Sequence, residues 1–506
     1  MFFKLFDTQG NRQEEINDIE LLFETAKKSQ DFKQYSLINE KGSLVISYYS
    51  TLIKHDLLQS AVLRTFQEVL IPAVNHVSID NIKTMIPIDD IEITNEPHLI
   101  SLKLLKGYAV LKIKETDDDF ALINLSDQQV GLRDQNNTEN EFSVVGPKIG
   151  FVENIDTNVH LIRQQINTPH LITKEVSVGS MSHTKVVMAY IEGVTNEQHI
   201  ETVEQRLKEI DFDVIFDATQ LDQIITDSSI TPFPLFLSTE RLDRAVYTLV
   251  NGQVAIFCHG SPYAIIGPST LLDFFISPED YYLPWILGSF FRLIRIFGVL
   301  FSVLASPIYI AVTTFHYEMI PKDLLGPLIS SRNNVPFIPV LEVLFLEITI
   351  ELLREAGARL PTKVGQTLGI VGGIVIGQAA VEASLTSNVL LIIVALSALA
   401  SFTTPIFKMS NTIRFLRFPF IIFASIWGGL GIVLSICFVI VHLMRLQSLG
   451  IPYMVPLYPF RPKNLADSFI RASYDVISKR LRFMRPKSIW RYHPDNENHS
   501  SDLDDE

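Results

Sequence analysis

Cysteine is nearly absent from this chain of 506 residues, in which Cys258 and Cys437 are the only two. They lie far apart, so the sequence offers neither a disulfide framework nor a cysteine-based metal site, and we expect no metal and no cofactor. The opening MFFKLFDTQGNRQEEIND lacks the basic start, the long apolar core and the small-residue cleavage site of a secretory signal. We therefore expect the N-terminal part to stay in the cytoplasm.

Motifs for catalysis and nucleotide binding are also missing. The sequence contains no GxSxG, P-loop, GxGxxG or HExxH pattern. Isolated Ser, His and Asp residues are therefore interpreted as structural. The sequence predicts a protein that is not an enzyme, and we expect no nucleic-acid partner.

Charged residues form only 19% of the chain and are unevenly distributed. Residues 1–285 contain 22 Lys and Arg against 41 Asp and Glu, whereas residues 286–506 contain 20 against 15. An acidic region of soluble composition is thus joined to a slightly basic and strongly apolar one. The predicted fold is an α/β cytoplasmic N-terminal region of two lobes, followed by an all-α multi-pass membrane domain. The predicted boundaries are 1–140 for the first lobe, 141–285 for the second, 286–450 for the transmembrane domain and 451–506 for a basic tail with an acidic, disordered end.

The two predicted lobes show a faint internal similarity. Segments 104–125 and 249–268 both read as an apolar end, a glycine, a strand, a turn and a strand. This pattern is either a chance similarity or a true repeat. In the second lobe, residues 184–193 predict a strand, Thr195 and Gln198 a capping box before a helix, and 213–218 a short buried strand.

Four uncharged runs predict transmembrane helices, because a helix needs about 20 apolar residues to cross about 30 Å of hydrocarbon. The glycine-rich run just reaches that length. The four runs are Ile296–Tyr317, Val364–Val381, Ala383–Phe407 and Phe418–Met444.

A fifth apolar segment, VPFIPVLEVLFLEITIELLREAG, carries carboxylates and is predicted to be an amphipathic helix. Glu347, Glu351 and Glu355 lie four residues apart, on one helical face. A charge at the centre of a bilayer costs about 2.5–3.5 kcal/mol even on the mildest scale. We therefore expect these carboxylates and Glu342 to face water, another copy of the chain, or the arginines Arg354 and Arg359.

The glycine-rich run repeats small residues every fourth position, which permits close approach of helices. This pattern is explained either by ordinary helix packing or by a subunit interface or pore wall. The glycines are Gly365, Gly369, Gly372, Gly373 and Gly377, with Gln366, Gln378 and Glu382 as polar neighbours.

The tail after Met444 is basic, which predicts a cytoplasmic side for it. With the N-terminal region also inside, the number of crossings is even, and four fit. The basic part of the tail, 471–491, either lies along anionic lipid headgroups or acts only as a topology signal.

Several segments together resemble one family, the A subunits of bacterial spore germinant receptors of the GerA type. The match covers about 300 residues, and the string ELLREAGARLP followed by GQTLGIVGG is its most specific part. In the family pattern TERPDK this chain has Leu242 and Arg244. The other matching segments are GPKIGFVENIDTNVHLIRQQ (146–165), TPFPLFLSTERLDR (231–244), NGQVAIFCHGSPYAIIGPST (251–270), SPEDYY (277–282) and GIPYMVPLYP (450–459).

The resemblance implies a multi-pass protein of the spore inner membrane that acts with a transporter-like B subunit and a lipoprotein C subunit. It implies a response to nutrients that triggers germination, through a homo-oligomer that conducts ions when germinant binds. On this hypothesis Glu342, Glu347, Glu351, Arg354, Glu355, Gln366, Gln378 and Glu382 supply polar groups in or near a pore. The alternative function is a secondary transporter for nutrients or ions, although such folds usually show paired repeats of helices.

Overall fold

The structure is a computed structural model, which describes residues 19–39, 42–65, 82–112, 119–127, 141, 145–360, 372–373, 375–461, 467–474 and 478–491. An N-terminal α/β region with two five-stranded sheets is followed by a helical region. This confirms the predicted α/β region followed by helices.

The first sheet is antiparallel, with the strand order β1-β2-β4-β5-β3. Its two faces bury separate apolar clusters, as expected when a sheet has helices on both sides. The elements are α1 (Ile19–Lys27), β1 (Phe32–Asn39), β2 (Gly42–Tyr49), α2 (His55–Leu57) continued by a π-helical turn (Leu58–Leu63), α3 (Ile82–Met85), β3 (Ile91–Thr94), α4 (Pro97–Leu104), β4 (Tyr108–Lys112) and β5 (Phe120–Asn124).

The second sheet is also antiparallel, with the order β6-β7-β9-β10-β8. Strands β9 and β10 are continuous runs of buried residues, so both faces of the sheet are covered there. The elements are α5 (Ile155–Gln165), β6 (Leu171–Val178), β7 (Thr184–Ile191), α6 (Glu197–Lys208), α7 (Ala218–Ile225), β8 (Leu237–Thr239), α8 (Leu242–Val250), β9 (Val254–Cys258), β10 (Ala264–Gly267), a 3₁₀ turn (Leu271–Phe275) and α9 (Glu279–Tyr282).

The two lobes repeat one topology. Strands occupy the same order in both sheets, and the similar segments of the sequence form β4–β5 in one lobe and β9–β10 in the other. Gly107 and Gly252 stand at the same helix-to-strand turn, with φ of +88° and +93°. Glycine adopts this left-handed conformation without steric cost. The similarity in the sequence therefore reflects a structural repeat.

Two local predictions in the second lobe are wrong. Asn196, and not Thr195, caps helix α6, because its side chain accepts a hydrogen bond from the Gln198 amide. The Thr195 hydroxyl instead accepts one from the Ile191 amide. Residues 213–217 pair with no strand, and Asp217 caps helix α7, which begins at Ala218. The apolar residues of this segment, which suggested a strand, directly precede helix α7.

The helical region begins directly after the second lobe with a 30-residue helix. Among the described residues, this helix is the one both long and apolar enough to cross a membrane, judged by length and composition. Two further apolar helices are shorter. The elements are α10 (Trp285–Thr314), a 3₁₀ turn (Tyr317–Met319), α11 (Lys322–Arg332), α12 (Pro339–Arg359), α13 (Asn388–Ser401), α14 (Phe407–Trp427) and α15 (Gly429–Arg445).

The prediction of four spanning helices is not confirmed. The run 418–444 is divided between α14 and α15 at Gly428, whose φ of +59° and ψ of −133° interrupt the helix. The run 383–407 holds only the 14-residue helix α13, because Ser384 adopts a φ of +57° and Ser387 starts a new helix as its N-cap. At 1.5 Å per residue, α13 is about 21 Å long. Half of the predicted span 364–381 lies outside the described residues, and its described parts, 372–373 and 375–381, are helical.

Both ends of the helical region are fastened to the second lobe. At the start of α10, Arg292 Nε and Arg295 Nη1 donate hydrogen bonds to Asp280 Oδ2 over 3.2 and 3.0 Å. After α15 a small hairpin follows, formed by β11 (Gln447–Ser448) and β12 (Ile451–Pro452). Its Ser448 hydroxyl donates to the Leu235 carbonyl over 2.7 Å, beside strand β8.

The tail that follows the hairpin packs against the second lobe. Arg471, Arg480 and Arg491 are all buried. Arg480 Nε donates to the carbonyl of Val250 over 2.7 Å, and Arg471 Nη2 donates to that of Tyr281 over 3.3 Å. These guanidinium groups therefore contact protein carbonyls.

Candidate functional site

The helical region has an apolar exterior and a charged interior. Phe297 is 68% exposed, and many other large apolar side chains of α10, α14 and α15 are also exposed. Among the described residues, five charged side chains of the helices in this region are buried, namely Arg292, Glu342, Glu347, Arg414 and Arg417. This distribution is the reverse of that in a water-soluble bundle, whose apolar side chains face inward.

Glu347 and Arg417 form the centre of the buried polar cluster. Arg417 Nη1 donates to Glu347 Oε2, and the Ser306 hydroxyl donates to Glu347 Oε1 over 2.7 Å. Arg417 Nε also donates to the carbonyl of Ser302 over 2.9 Å, and its Nη2 donates to the carbonyl of Ser397 over 3.3 Å. The cluster therefore joins four helices, α10, α12, α13 and α14. Each charge is satisfied within the chain, as buried charges require.

Glu342 lies one and a half turns earlier on α12 and has its own partners. Arg332 Nη2 donates to Glu342 Oε1 over 2.9 Å. The Ser387 amide donates to Glu342 Oε2 over 3.4 Å, at the N-terminus of α13. A carboxylate is favoured at that position, because the first amides of a helix carry partial positive charge. Glu342 thus connects α11, α12 and α13.

Glu351 and Arg354 form an ion pair on the surface of α12 that faces α14. Arg354 Nε donates to Glu351 Oε2 over 2.9 Å, and Arg354 Nη1 donates to Asn411 Oδ1 over 3.2 Å. Arg414 donates to the same Asn411 oxygen and lies 5.5 Å from the centre of the Phe402 ring. Nε and Nη1 of Arg414 are buried and have no hydrogen-bond partner among the described residues.

The remaining predicted polar residues lie on the exposed side. Arg359 Nε donates to Glu355 Oε1 over 2.9 Å, and these side chains are 78% and 60% exposed. Gln378 Nε2 donates to Glu382 Oε1 over 2.8 Å, again at the surface. The carboxylate face predicted from the sequence, Glu347, Glu351 and Glu355, is therefore split: Glu347 is buried, Glu351 is half-buried and Glu355 is exposed. Gln366 lies outside the described residues.

Two glycines of the predicted stripe, Gly373 and Gly377, have no close neighbour among the described residues. A Cβ added to Gly373 would meet no described residue within 4 Å, and one added to Gly377 would meet Leu391 at 3.8 Å. At Gly372 it would approach Leu353 at 3.2 Å. Close packing against the described residues of this chain therefore does not explain Gly373 and Gly377. Gly365 and Gly369 lie outside the described residues.

Arg417 and Arg292 are the buried partners that sequence reasoning missed. Each lies outside the uncharged runs, and the sequence analysis assigned a role to neither. A signal was present, because Glu347 needed a cation and Arg354 and Arg359 are near enough in sequence to serve other carboxylates. Comparing acids within one apolar segment with bases at the edge of another would have suggested the pair Glu347–Arg417.

A family model described as Bacillus/Clostridium GerA spore germination protein matches residues 20–483. Spore germination protein GerQA of Bacillus cereus is 48% identical to this chain over 480 residues, which cover 95% of each protein. Spore germination protein GerIA of Bacillus cereus is 44% identical over 503 residues, which cover 99% of this chain and 74% of the relative. The N-terminal domain of the A subunit of the Bacillus megaterium spore germinant receptor GerK3 matches at 22% identity, with a TM-score of 0.38, over 50% of this chain and 94% of that structure.

Proposed function

This chain belongs to the family of Bacillus/Clostridium GerA spore germination proteins and takes part in spore germination, and we propose that it does so as the membrane-embedded A subunit of a nutrient germinant receptor. In this proposal it lies in the spore inner membrane and acts with B and C subunits. Both the α/β region and the tail lie on the cytoplasmic side. Its helices form part of an oligomer that conducts cations when a germinant binds.

The observation that carries the proposal is the reversed distribution of polarity in the helical region. Exposed side chains such as Phe297, Leu300 and Phe438 favour contact with hydrocarbon. The buried pair Glu347–Arg417 is sheltered from it. Because unpaired charges are costly in a bilayer, charged groups of membrane helices face the interior and pair with each other.

The contacts of the carboxylates support different roles for them in the proposal. Glu342 and Glu347 are bound to arginines inside one chain, so in the proposal they maintain the helix packing. Glu355 and Glu382 pair with neighbours on their own helices and remain exposed. A ring of such carboxylates from several copies would concentrate cations at a pore mouth. Glu351 lies between these groups, half-buried beside Arg354.

Charge substitution tests the ion path. We expect Glu355→Lys to slow the release of monovalent cations from spores after germinant is added, whereas Glu209→Lys, at an exposed position of the second lobe, leaves release unchanged. Immunoblotting of the inner membrane must show equal amounts of both variants. Normal release from Glu351→Lys, Glu355→Lys and Glu382→Lys spores would remove these carboxylates from the proposed path.

Enlarging a glycine tests the oligomer. An added Cβ at Gly373 meets no described residue within 4 Å, so in this proposal Gly373→Leu acts on an interface with another chain. We expect this variant to reduce the cross-linked oligomer in spore membranes. Gly326→Leu is the matched control, because Gly326 also has open space around it on helix α11. If the Gly373→Leu variant gave as much cross-linked oligomer as the unaltered protein, the result would contradict an interface at this glycine.

A further inference from the structure

A cavity of about 380 Å³ separates helix α6 of the second lobe from the segment that follows the last helix. This volume lies within the range of about 300–1,000 Å³ that is typical of small-molecule sites. It is remote in sequence from the carboxylates of helix α12. Its lining comes from residues 198–205 of α6 and, after helix α15, from residues 449–452, 455, 461, 483 and 485.

One wall of the cavity is held in place by the β11–β12 hairpin. Leu449 and Gly450 form its two-residue turn, with φ of +47° and +78°, the positive values that tight hairpins require. The Leu449 amide donates to Asp227 Oδ2 over 2.8 Å. The Leu449 side chain is buried in the apolar cluster that also contains Ile200 and Val203. A non-glycine residue in this conformation is uncommon, and here burial and a hydrogen bond stabilise it.

A second part of the same wall is formed by the short 3₁₀ turn Arg482–Met484 and the residue after it. Arg485 has a φ of +49° and directs the chain back toward α6, where the Lys487 amide donates to the Val194 carbonyl over 3.0 Å. Phe483 is buried against Val455 and Ile451, so this side of the cavity is apolar. The wall is therefore built by packing and by main-chain hydrogen bonds.

The charges that line the cavity favour an anion. Arg461 and Arg485 both line it, and neither forms an ion pair with a described residue. Glu201 is the one acidic residue in the lining. Burial, and then the charge of Arg485, lower the pKa of His199 to about 4, so His199 is neutral at neutral pH. Two positive groups thus face one negative group.

His199 provides an independent sign of a missing partner. Its side chain is 5% exposed, and its Nδ1 has no hydrogen-bond partner among the described residues. A buried polar atom without a partner costs about 1–3 kcal/mol. Because this atom is not accessible from the cavity, a ligand would reach it only after the His199 side chain turned.

We propose that this cavity binds a small organic anion, whose carboxylate pairs with Arg461 and Arg485 and whose apolar body lies on Val455 and Phe483. Arginine recognises a carboxylate with paired hydrogen bonds, and the apolar wall adds contact area for a ring or branched chain. The ligand contacts both α6 and the segment that leaves helix α15. Its binding therefore strengthens the attachment of that segment to the second lobe.

The test uses the purified full-length protein in detergent, with benzoate as the probe and isothermal titration calorimetry as the readout. We expect saturable binding of one benzoate per chain. Binding should be about tenfold weaker or more in the variant Arg461→Gln/Arg485→Gln, because each lost charged hydrogen bond contributes to affinity. Arg482→Gln, an exposed arginine outside the cavity, is the matched control and should bind within twofold of the original protein. Acetate should bind more weakly than benzoate, because it lacks the apolar body.

A further variant separates loss of the site from loss of folding. Glu201→Gln removes the acidic group, so it should bind benzoate more tightly, whereas a damaged fold would bind it more weakly. The proposal is overturned if benzoate shows no saturable binding, if the double variant binds as the original does, or if Glu201→Gln weakens binding. Preferential binding of phosphatidylglycerol vesicles through Arg461 and Arg485 would overturn it in favour of a lipid surface.

Discussion

Glu347 and Arg417 form a salt bridge at the point where four helices meet, and neither side chain is more than 2% exposed. They are 70 residues apart in the sequence and lie on α12 and α14. Breaking a buried pair is more harmful than replacing both partners, because one substitution leaves an uncompensated charge. This asymmetry gives a test of the helical packing.

We expect Glu347→Met to destabilise the purified protein by about 3–5 kcal/mol, since Arg417 would remain buried without its carboxylate. The double variant Glu347→Met/Arg417→Met should recover much of that loss. Thermal unfolding in detergent measures both. The control Glu355→Met removes the acid of an exposed pair and should leave the unfolding temperature unchanged. A double variant no more stable than Glu347→Met would show that the serine hydrogen bonds of Arg417 matter more than the charge pair.

A second prediction concerns the bidentate contact between the lobes. Arg163 Nε and Nη2 donate to the two carboxylate oxygens of Asp31 over 2.5 and 2.6 Å. Burial raises the pKa of Asp31, but the charge of Arg163 and hydrogen bonds from Arg163, Ser29 and Thr173 outweigh burial and lower it overall. A lowered pKa means that the contact stabilises the folded state fully above the unfolded pKa of about 3.9. That stability is lost as the pH falls through the folded value.

We therefore expect Asp31→Asn to increase hydrogen exchange in strand β1 and helix α5 at pH 6. The difference from the unaltered protein should shrink as the pH falls below about 4, after correction for intrinsic exchange rates. Asp156→Asn, which alters the exposed contact with Lys185, is the control and should change little. A difference that stays constant between pH 6 and pH 3 would contradict the role of the Asp31 charge.

A third prediction concerns the helix reversal at Gly428. A Cβ there would approach the Phe315 ring and Cβ at 2.9 Å, and the backbone conformation disfavours other residues. We expect Gly428→Ala to destabilise the protein by about 1–3 kcal/mol. Gly326→Ala is the control, because Gly326 lies in a helix with open space, where alanine is more favourable by up to about 1 kcal/mol. Equal unfolding temperatures for the two variants would argue that α14 and α15 join without constraint.

A fourth prediction concerns the tail. Burial, and then the charge of Arg491, lower the pKa of Arg480 to about 10, so its guanidinium remains charged at neutral pH. Its hydrogen bonds to carbonyls hold the tail on the second lobe. We expect Arg480→Gln to speed proteolysis within residues 478–491 of the full chain. The rate should rise by about the same factor at roughly 50 mM and roughly 500 mM salt, because buried contacts are weakly screened. Lys487→Gln, which removes an exposed pair with Glu197, should have little effect. If high salt alone sped proteolysis of the tail in the unaltered protein, the tail would be held by exposed charges.

The sequence predicted the order of the two regions, α/β first and helical second, because hydrophobic pattern and charge differ between whole regions of the chain. The strand at 184–193 is formed by β7, and the similar segments 104–125 and 249–268 hold equivalent strands. Individual spans were less predictable. An uncharged run does not reveal where a serine cap or a glycine with positive φ ends a helix, and Ser387 and Gly428 divide runs that hydropathy alone joins.

The polar cluster was only partly predictable for a different reason. The pairs Glu351–Arg354 and Glu355–Arg359 follow from spacing on one helix, and the structure contains both. The partner of Glu347 depends on which helices meet, and Arg417 is far away in the sequence. The unexpected packing of the tail has the same origin, since a basic segment does not reveal which carbonyls it will contact.

The attachment of α10 through Asp280 and of the hairpin through Ser448 has a mechanical consequence. The second lobe binds the chain just before the first helix of the helical region and just after the last one. The distance between these two attachment points is therefore fixed. A tilt of the second lobe therefore moves both attachment points together, as one rigid unit. Under the proposed function, the helices would therefore separate by rotation or sliding between these two points, and not by a change in the distance between them.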